Sequence, residues 1–262
     1  NKKKELRKYF SNKRKTIDNV LLSQKIKKNT IDLINKLIKS KKEIKIHVFL
    51  PIIKNKEINT HLMFPTALHI FDHKMEQEEQ QIMIDYINGT RNKETTDVSG
   101  LSKHTKNNLH KVPEFASLKN TINEATQEVV KKMEFKCDSL EMTGMWGNAL
   151  PKGNAHAPHT HSNHLFSGVF YVKSDKLSSP IQFFDPRPQA HVMRPDKHKD
   201  NTLNSDIVAI PCNTGVGIIF PSWLTHWVPP TGSERISVSW NFIIRGKYGE
   251  PNSLQDVNIE SK

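Results

Sequence analysis

The sequence predicts a mainly β fold, an antiparallel barrel or jelly roll, with helices flanking it. From about residue 139 onward, short apolar runs alternate with the turn formers Gly, Pro, Asn and Asp. No helical pattern separates these runs, which favours strands that pair with one another in antiparallel fashion. The runs are SLEMTGMWGNAL, LFSGVFYV, IQFFD, DIVAI, VGIIF and RISVSWNFII.

The flanking helices are predicted upstream of these strands. MFPTALHIF has the pattern of a strand, and MEQEEQQIMIDYI and PEFASLKNTINEATQEVVKKM have that of helices, with Pro113 near the first turn of the second. Further upstream, apolar residues recur every three to five positions over 16–41, which predicts an amphipathic helix. The stretch EIKIHVFLP then reads as a short strand ended by Pro51.

Charge divides the chain into two predicted parts, a basic segment over 1–61 and the jelly-roll domain over 62–262. Residues 1–60 carry 18 Lys or Arg and 5 Asp or Glu, hence +13, and the other 21 basic and 22 acidic residues give −1. Such a segment can neutralise nucleic-acid phosphates, but lysines on solvent-facing helix positions give the same bias. We favour the second interpretation, so nucleic acid is not an expected partner.

Composition predicts a cytoplasmic protein without disulfides. No apolar run approaches the roughly 18 to 20 residues that span a bilayer, and no secretory signal follows the basic start. Cys137 and Cys212 are the two cysteines, and neither stands in a C-x-x-C pair. A cysteine zinc site and a disulfide framework are therefore excluded.

Four histidines stand within nine residues, in the stretch HAPHTHSNH at 156–164. His159 and His161 are two apart, so on an extended strand both side chains leave the same face and can meet one metal ion. The best third ligand is His226, in FPSWLTHWVPP directly after an apolar strand. We expect His156 and His164 to be flanking surface residues. The alternative is that none of these histidines binds a metal.

The run ERISVSWNF alternates polar and apolar residues, which predicts a strand with one face in the core. On the polar face lie Arg235, Ser237, Ser239 and Asn241, and on the apolar face Ile236, Val238, Trp240 and Phe242. An arginine inside a barrel needs an anion, and its planar guanidinium matches a carboxylate in two-point contact. Histidine ligands with such a clamp suggest a metal that binds an α-keto acid, unless Arg235 lies on a solvent-facing side of the sheet.

These motifs resemble the iron(II)- and 2-oxoglutarate-dependent oxygenases over about residues 62–246. The resemblance rests on H-x-H before SGVFYV, then FFDPRP, then FPSWLTH, then RISVSWNF. It implies a double-stranded β-helix, with Fe(II), 2-oxoglutarate and O2 meeting at its open end. It also implies hydroxylation of a substrate, a small molecule or a peptide not identified by the sequence, with decarboxylation of 2-oxoglutarate to succinate. The oligomeric state stays open.

The resemblance assigns roles to individual residues of this chain. His159 and His226 match the two metal histidines, and Arg235 with Ser237 matches the clamp for the distal carboxylate of 2-oxoglutarate. Asn148 and Tyr171 are weaker candidates for contact with 2-oxoglutarate. Four aromatic residues are candidates for the pocket wall or for the core: Trp146, Phe170, Trp223 and Trp227.

The chain departs from the resemblance at the third metal ligand. Most of these oxygenases have H-x-D, whereas His161 stands at the position of the aspartate. We predict three histidine ligands, with Asp185 of FFDPRP as the alternative third ligand. A third neutral ligand leaves the site one unit more positive and could favour zinc, so two other functions stay open. These are a three-histidine zinc site that activates water and a non-catalytic jelly-roll metal-binding module.

The first 61 residues resemble the amino-terminal part of 5-formyltetrahydrofolate cyclo-ligase, in KKELRKYFSNKRKTI and IHVFLPIIKNKEINTHL. The resemblance implies nucleotide contacts for Lys3 and Arg7 and a folate-side contact for Glu57. The glycine-rich phosphate loop of that family does not follow, and an incomplete nucleotide site cannot position ATP phosphates. Ligase activity is therefore not predicted.

Overall fold

The computed structural model of the protein describes residues 60, 62–90 and 103–260. The helix and strand predicted over 16–51, and the positions Lys3, Arg7 and Glu57, lie outside the described residues. The division of the chain at residue 61 therefore stays a prediction.

The described residues form two antiparallel sheets. The strands of the larger sheet are β1 (His69–Asp72), β2 (Lys103–His104), β3 (Ser139–Leu150), β5 (Phe166–Lys173), β8 (Val216–Pro221), β10 (Arg235–Tyr248) and β11 (Val257–Ile259). Those of the smaller sheet are β4 (His156–His159), β6 (Ile181–Phe184), β7 (Ile207–Ile210) and β9 (His226–Val228). The larger sheet has the strand order β1-β8-β5-β10-β3-β2, with β11 paired to β10, and the smaller sheet has the order β4-β9-β6-β7.

Two helices, α1 (Gln77–Thr90) and α2 (Ala116–Lys132), pack on the outer face of the larger sheet. Both helices were predicted from the sequence, the second with Pro113 near its first turn. Their apolar side chains share one core cluster with the apolar face of β10, where Trp240 is fully buried. Burial of side chains of this size contributes about 2 to 3 kcal/mol each. The alternation predicted for β10 is thus confirmed on its core side.

Close packing beneath Trp240 depends on Gly168 of β5. A Cβ atom at this position would collide with the Trp240 ring and approach the Ile218 carbonyl oxygen to 2.7 Å. The backbones of β5 and β10 pair at this level, Gly168 opposite Trp240. A glycine therefore lets the indole lie flat against the sheet.

A second apolar cluster fills the space between the two sheets. It joins Val169 and Phe220 of the larger sheet to Ile181 and Phe183 of the smaller one. Two antiparallel sheets around a shared interior confirm the predicted jelly roll with flanking helices. Cys137 and Cys212 are both free. Among the described helices, none has the length and apolar character needed to cross a membrane.

Candidate metal centre

Three histidines converge at one end of the space between the sheets. The antiparallel register of β4 and β9 sets His159 directly opposite His226. His161 follows two residues after β4, and the nearest ring nitrogens of all three lie within 4.8 Å of one another. The predicted trio is therefore brought together, by strand pairing between segments more than sixty residues apart.

Backbone carbonyl groups orient two of the three rings. His159 Nδ1 lies 2.7 Å from the Ala157 oxygen, and His226 Nδ1 lies 2.9 Å from the Leu224 oxygen. A carbonyl oxygen only accepts, so each Nδ1 carries the proton and donates it. Each Nε2 therefore keeps its lone pair for a ligand, the arrangement usual for metal-binding histidines.

The distances and charges suit a transition-metal ion. His161 Nε2 and His226 Nε2 are 3.4 Å apart. Two nitrogen ligands, each about 2.1 Å from one ion, are separated by about 3.0 to 3.4 Å. Burial, helped by the neighbouring histidines, lowers the pKa of His161 to about 4 and that of His226 to about 3. Both rings are therefore neutral at pH 7, the form that binds metals.

The sequence pattern predicts His161 on an extended strand with His159. In the structure, His161 lies in the loop after β4. Its N–H donates to the Ser222 carbonyl (2.9 Å), and the Ser222 N–H donates to the Leu165 carbonyl (3.0 Å). The Ser222 and Ser167 hydroxyls are 2.8 Å apart, and Ser167 donates to Asn241 Oδ1 (2.7 Å). Both serines are fully buried. This network fixes the loop that carries the third ring.

A cavity of about 360 Å³ adjoins the three histidines, within the range of small-molecule sites. The polar face of β10 lines it with Arg235, Ser237 and Ser239, so Arg235 does not face solvent. Arg235 is buried, and its Nη1 donates to the Ser179 carbonyl at 3.2 Å, while its Nε has no hydrogen-bond partner. A buried guanidinium with an unpaired donor fits a carboxylate.

The two weaker candidates flank Ser237 in the sheet. Asn148 on β3 and Tyr171 on β5 both pair with Ser237. Asn148 lines the cavity and donates to Ser239 Oγ at 3.1 Å. Tyr171 is fully buried behind the guanidinium, with Arg235 Cζ 5.0 Å from its ring centre, and its hydroxyl has no partner. Burial, opposed by the nearby Arg235 charge, raises the pKa of Tyr171 to about 12, so the phenol keeps its proton.

Sequence reasoning missed part of the cavity wall and was wrong about one flanking histidine. His104, Asn107 and His156 line the cavity. His156 was predicted on the surface, but it is half-buried opposite Val228. His164 is half-buried and lies outside both the trio and the cavity lining. The register shift between His156 and His159 is invisible in the sequence.

Of the four aromatic candidates, one lines the cavity and three do not. Trp146 lines the cavity, with its ring centre 5.9 Å from that of His161. Phe170 is in the outer core, Trp223 is exposed, and Trp227 donates to Gln182 at the sheet. Only the first therefore shapes the cavity.

Asp185 is engaged elsewhere. Its carboxylate accepts two hydrogen bonds from the Arg187 guanidinium, at 2.9 and 2.7 Å. Within residues 60, 62–90 and 103–260, the one group of three or more potential metal ligands is the histidine trio, and Asp185 is not in it. The geometry therefore offers His161, not Asp185, as the third ligand.

Comparisons with known proteins place these residues in a family context. The family described as "Putative 2OG-Fe(II) oxygenase" matches residues 144–241, which include the trio and Arg235. No curated protein matches the chain. No comparison supports the resemblance of residues 1–61 to the cyclo-ligase.

Two solved structures share the fold. A prolyl-4-hydroxylase of Pseudomonas putida has a TM-score of 0.50 at 12% identity, covering 69% of this chain and 94% of its own. The non-heme alpha-ketoglutarate-dependent epimerase SnoN from nogalamycin biosynthesis has a TM-score of 0.50 at 10% identity, covering 72% and 81%. At these identities the likeness concerns the double-stranded β-helix fold. The family model thus matches residues 144–241, and the solved structures show a likeness of fold.

Proposed function

We propose that the protein is an Fe(II)- and 2-oxoglutarate-dependent dioxygenase that hydroxylates an unidentified substrate and converts 2-oxoglutarate to succinate. The observation that carries this proposal is the combination of the histidine trio and the buried Arg235 in one cavity. His159, His161 and His226 are the proposed metal ligands. Arg235 and Ser237 are the proposed clamp for the distal carboxylate.

The residues fit both cofactors. Imidazole nitrogen is a common ligand of iron as well as of zinc. The unpaired Nε of Arg235 is a buried donor in the cavity wall, and a carboxylate beside it would satisfy it. Asn148 is placed to contact the same cosubstrate from β3.

When bound together, Fe(II), 2-oxoglutarate and O2 supply the oxidising chemistry that decarboxylates the keto acid and hydroxylates a C–H bond. The chain holds the three rings by carbonyl hydrogen bonds and by the network behind His161. Arg235, in the wall of the same cavity as the trio, would hold the distal carboxylate of 2-oxoglutarate. Trp146 and Phe220 add apolar wall next to His161 and His226, which limits water at the reacting end.

The proposal also names a reaction outcome, which is hydroxylation of the substrate. The two structures compared above are named as a hydroxylase and an epimerase. The fold alone therefore does not select between these outcomes. Hydroxylation is proposed because it requires only the cosubstrates and a C–H bond held near the trio.

The test is turnover of labelled 2-oxoglutarate with Fe(II) in air, measured as succinate and released CO2. We expect slow turnover without substrate and none in His226→Ala. His198→Ala is the matched control, because His198 is an exposed histidine outside the cavity. A His226→Ala protein that turns over at the wild-type rate would refute the proposal.

One observation favours a second candidate, a zinc site that activates water. Three neutral nitrogen ligands without a carboxylate are the ligand set of some catalytic zinc sites. This candidate predicts that purified protein retains zinc and is indifferent to 2-oxoglutarate. A non-catalytic module, by contrast, would show neither reaction even with metal bound.

A further inference from the structure

The cavity beside the histidine trio has an unusual charge balance. Among the described residues that line it, the polar groups are one arginine, five histidines, two asparagines and two serines, and none is acidic. A cation site inside a protein is normally balanced by carboxylates or other anions close by. Here any balancing negative charge must come from what binds.

If the proposed function holds, a charge count gives the net positive charge that remains in the loaded site. Fe(II) contributes +2 and Arg235 contributes +1, the three imidazoles contribute nothing, and 2-oxoglutarate contributes −2. The loaded site therefore keeps a charge of +1. An aspartate at position 161 would make it neutral, so the excess comes from His161.

The wall contains polar groups that have no part in the proposed function. His104 and Asn107 line the cavity from β2 and the loop after it. β2 is the edge strand beside β3, with His104 opposite Asn148. The Asn107 backbone is held there by the Met145 N–H, which donates to its carbonyl at 3.1 Å. The side-chain amide of Asn107 offers N–H donors to an oxyanion. His104 Nδ1 lies 2.8 Å from the Thr105 carbonyl oxygen, so Nδ1 carries the proton and Nε2 of a neutral ring has none to donate.

We propose that the primary substrate enters this cavity with an oxyanion group, a carboxylate or a phosphate, which compensates the extra positive charge and accepts hydrogen bonds from the Asn107 side chain. This inference rests on the proposed function. Because 2-oxoglutarate occupies part of the same 360 Å³, the part of the substrate that enters is small.

The test uses the anaerobic protein loaded with Fe(II) and 2-oxoglutarate in chloride-free buffer. The visible band of the chelated keto acid is recorded while four probes are titrated separately: butyrate, inorganic phosphate, butyramide and butylammonium. We expect butyrate or phosphate to shift the band with a Kd at least tenfold below that of butyramide. The better of these two anions identifies the carboxylate or phosphate class. Equal binding of butyramide, or tighter binding of butylammonium, would overturn the proposal.

Two variants locate the effect. His161→Asp adds one negative charge at the trio, so in variant protein that still gives the band the preference for the anion should fall by at least about tenfold. Asn107→Leu should keep the band and weaken the anion severalfold; it carries the test should His161→Asp fail to hold iron. Unchanged anion binding in both variants would also overturn the proposal. Wild-type protein that gives no band with 2-oxoglutarate would instead overturn the proposed function itself, and the charge count with it.

Discussion

Replacing Arg235 with glutamine tests the carboxylate clamp in isolation. Glutamine keeps a polar group near the Ser179 carbonyl but removes the positive charge and the two-pronged donor. The Arg235 guanidinium is buried, lies 5.0 Å from the Tyr171 ring centre and has an Nε without a partner. The lost interaction is therefore desolvated, and water cannot readily replace it.

The expected magnitude follows from this burial. Removing one partner of a buried, hydrogen-bonded charge pair costs about 2 to 4 kcal/mol in binding. This corresponds to about a 30-fold to 900-fold rise in the KM for 2-oxoglutarate. The rise should concern 2-oxoglutarate alone, because the proposed metal ligands lie outside β10.

The assay is succinate formation at varied 2-oxoglutarate. Arg245→Gln is the matched control, since Arg245 is on the same strand and pairs with Glu141, outside the cavity lining. We expect the control to have the wild-type KM. A KM for Arg235→Gln within twofold of the wild-type value would refute the assignment of the clamp.

Three further predictions concern the trio. Ser167→Ala removes the hydroxyl that joins Ser222 to Asn241, so the Fe(II) dissociation constant should rise about tenfold in a metal titration. Ser178→Ala, at another buried serine, is the control. A rise in Ser167→Ala no larger than that in the control would contradict this role of the network. Asp185→Asn should keep one Fe(II) per chain by metal analysis, and loss of the metal would restore Asp185 as a ligand. In metal-free protein the pKa of His226 falls from 6.5 to about 3 on folding, so stability is full above pH 6.5 and declines as pH falls toward 3. At pH 5 this one group lowers the free energy of unfolding by about 2 kcal/mol, or about 4 to 8 °C in Tm. His226→Gln should flatten this decline in a thermal melt series, and an equally steep decline in the variant would count against the buried neutral ring.

The two faces of β10 were predictable because strand periodicity is local. Alternation over ERISVSWNF assigns Trp240 to the core and Arg235 to the opposite side without knowledge of any partner strand. The helices were predictable for the same reason. The pairing of His159 with His226 depends on register between distant strands, and it was reached only by resemblance and by the position of each residue at a strand end.

The rest of the wall depends on features without a local signal. β2 is two residues long, which is too short for a periodic pattern to predict a strand beside Asn148 at the cavity wall. The irregular pairing of β4 turned His156 inward. Asp185 forms an ion pair with Arg187, two residues along in DPR, and lies outside the group of three histidines.

The most direct test of the central claim is the visible spectrum of the anaerobic Fe(II) protein before and after 2-oxoglutarate. Iron held by the histidine trio and chelated by the keto acid should give a weak charge-transfer band, present in wild type and absent in His226→Ala. A wild-type protein that binds Fe(II) but gives no band, or an identical band in His226→Ala, would contradict the account.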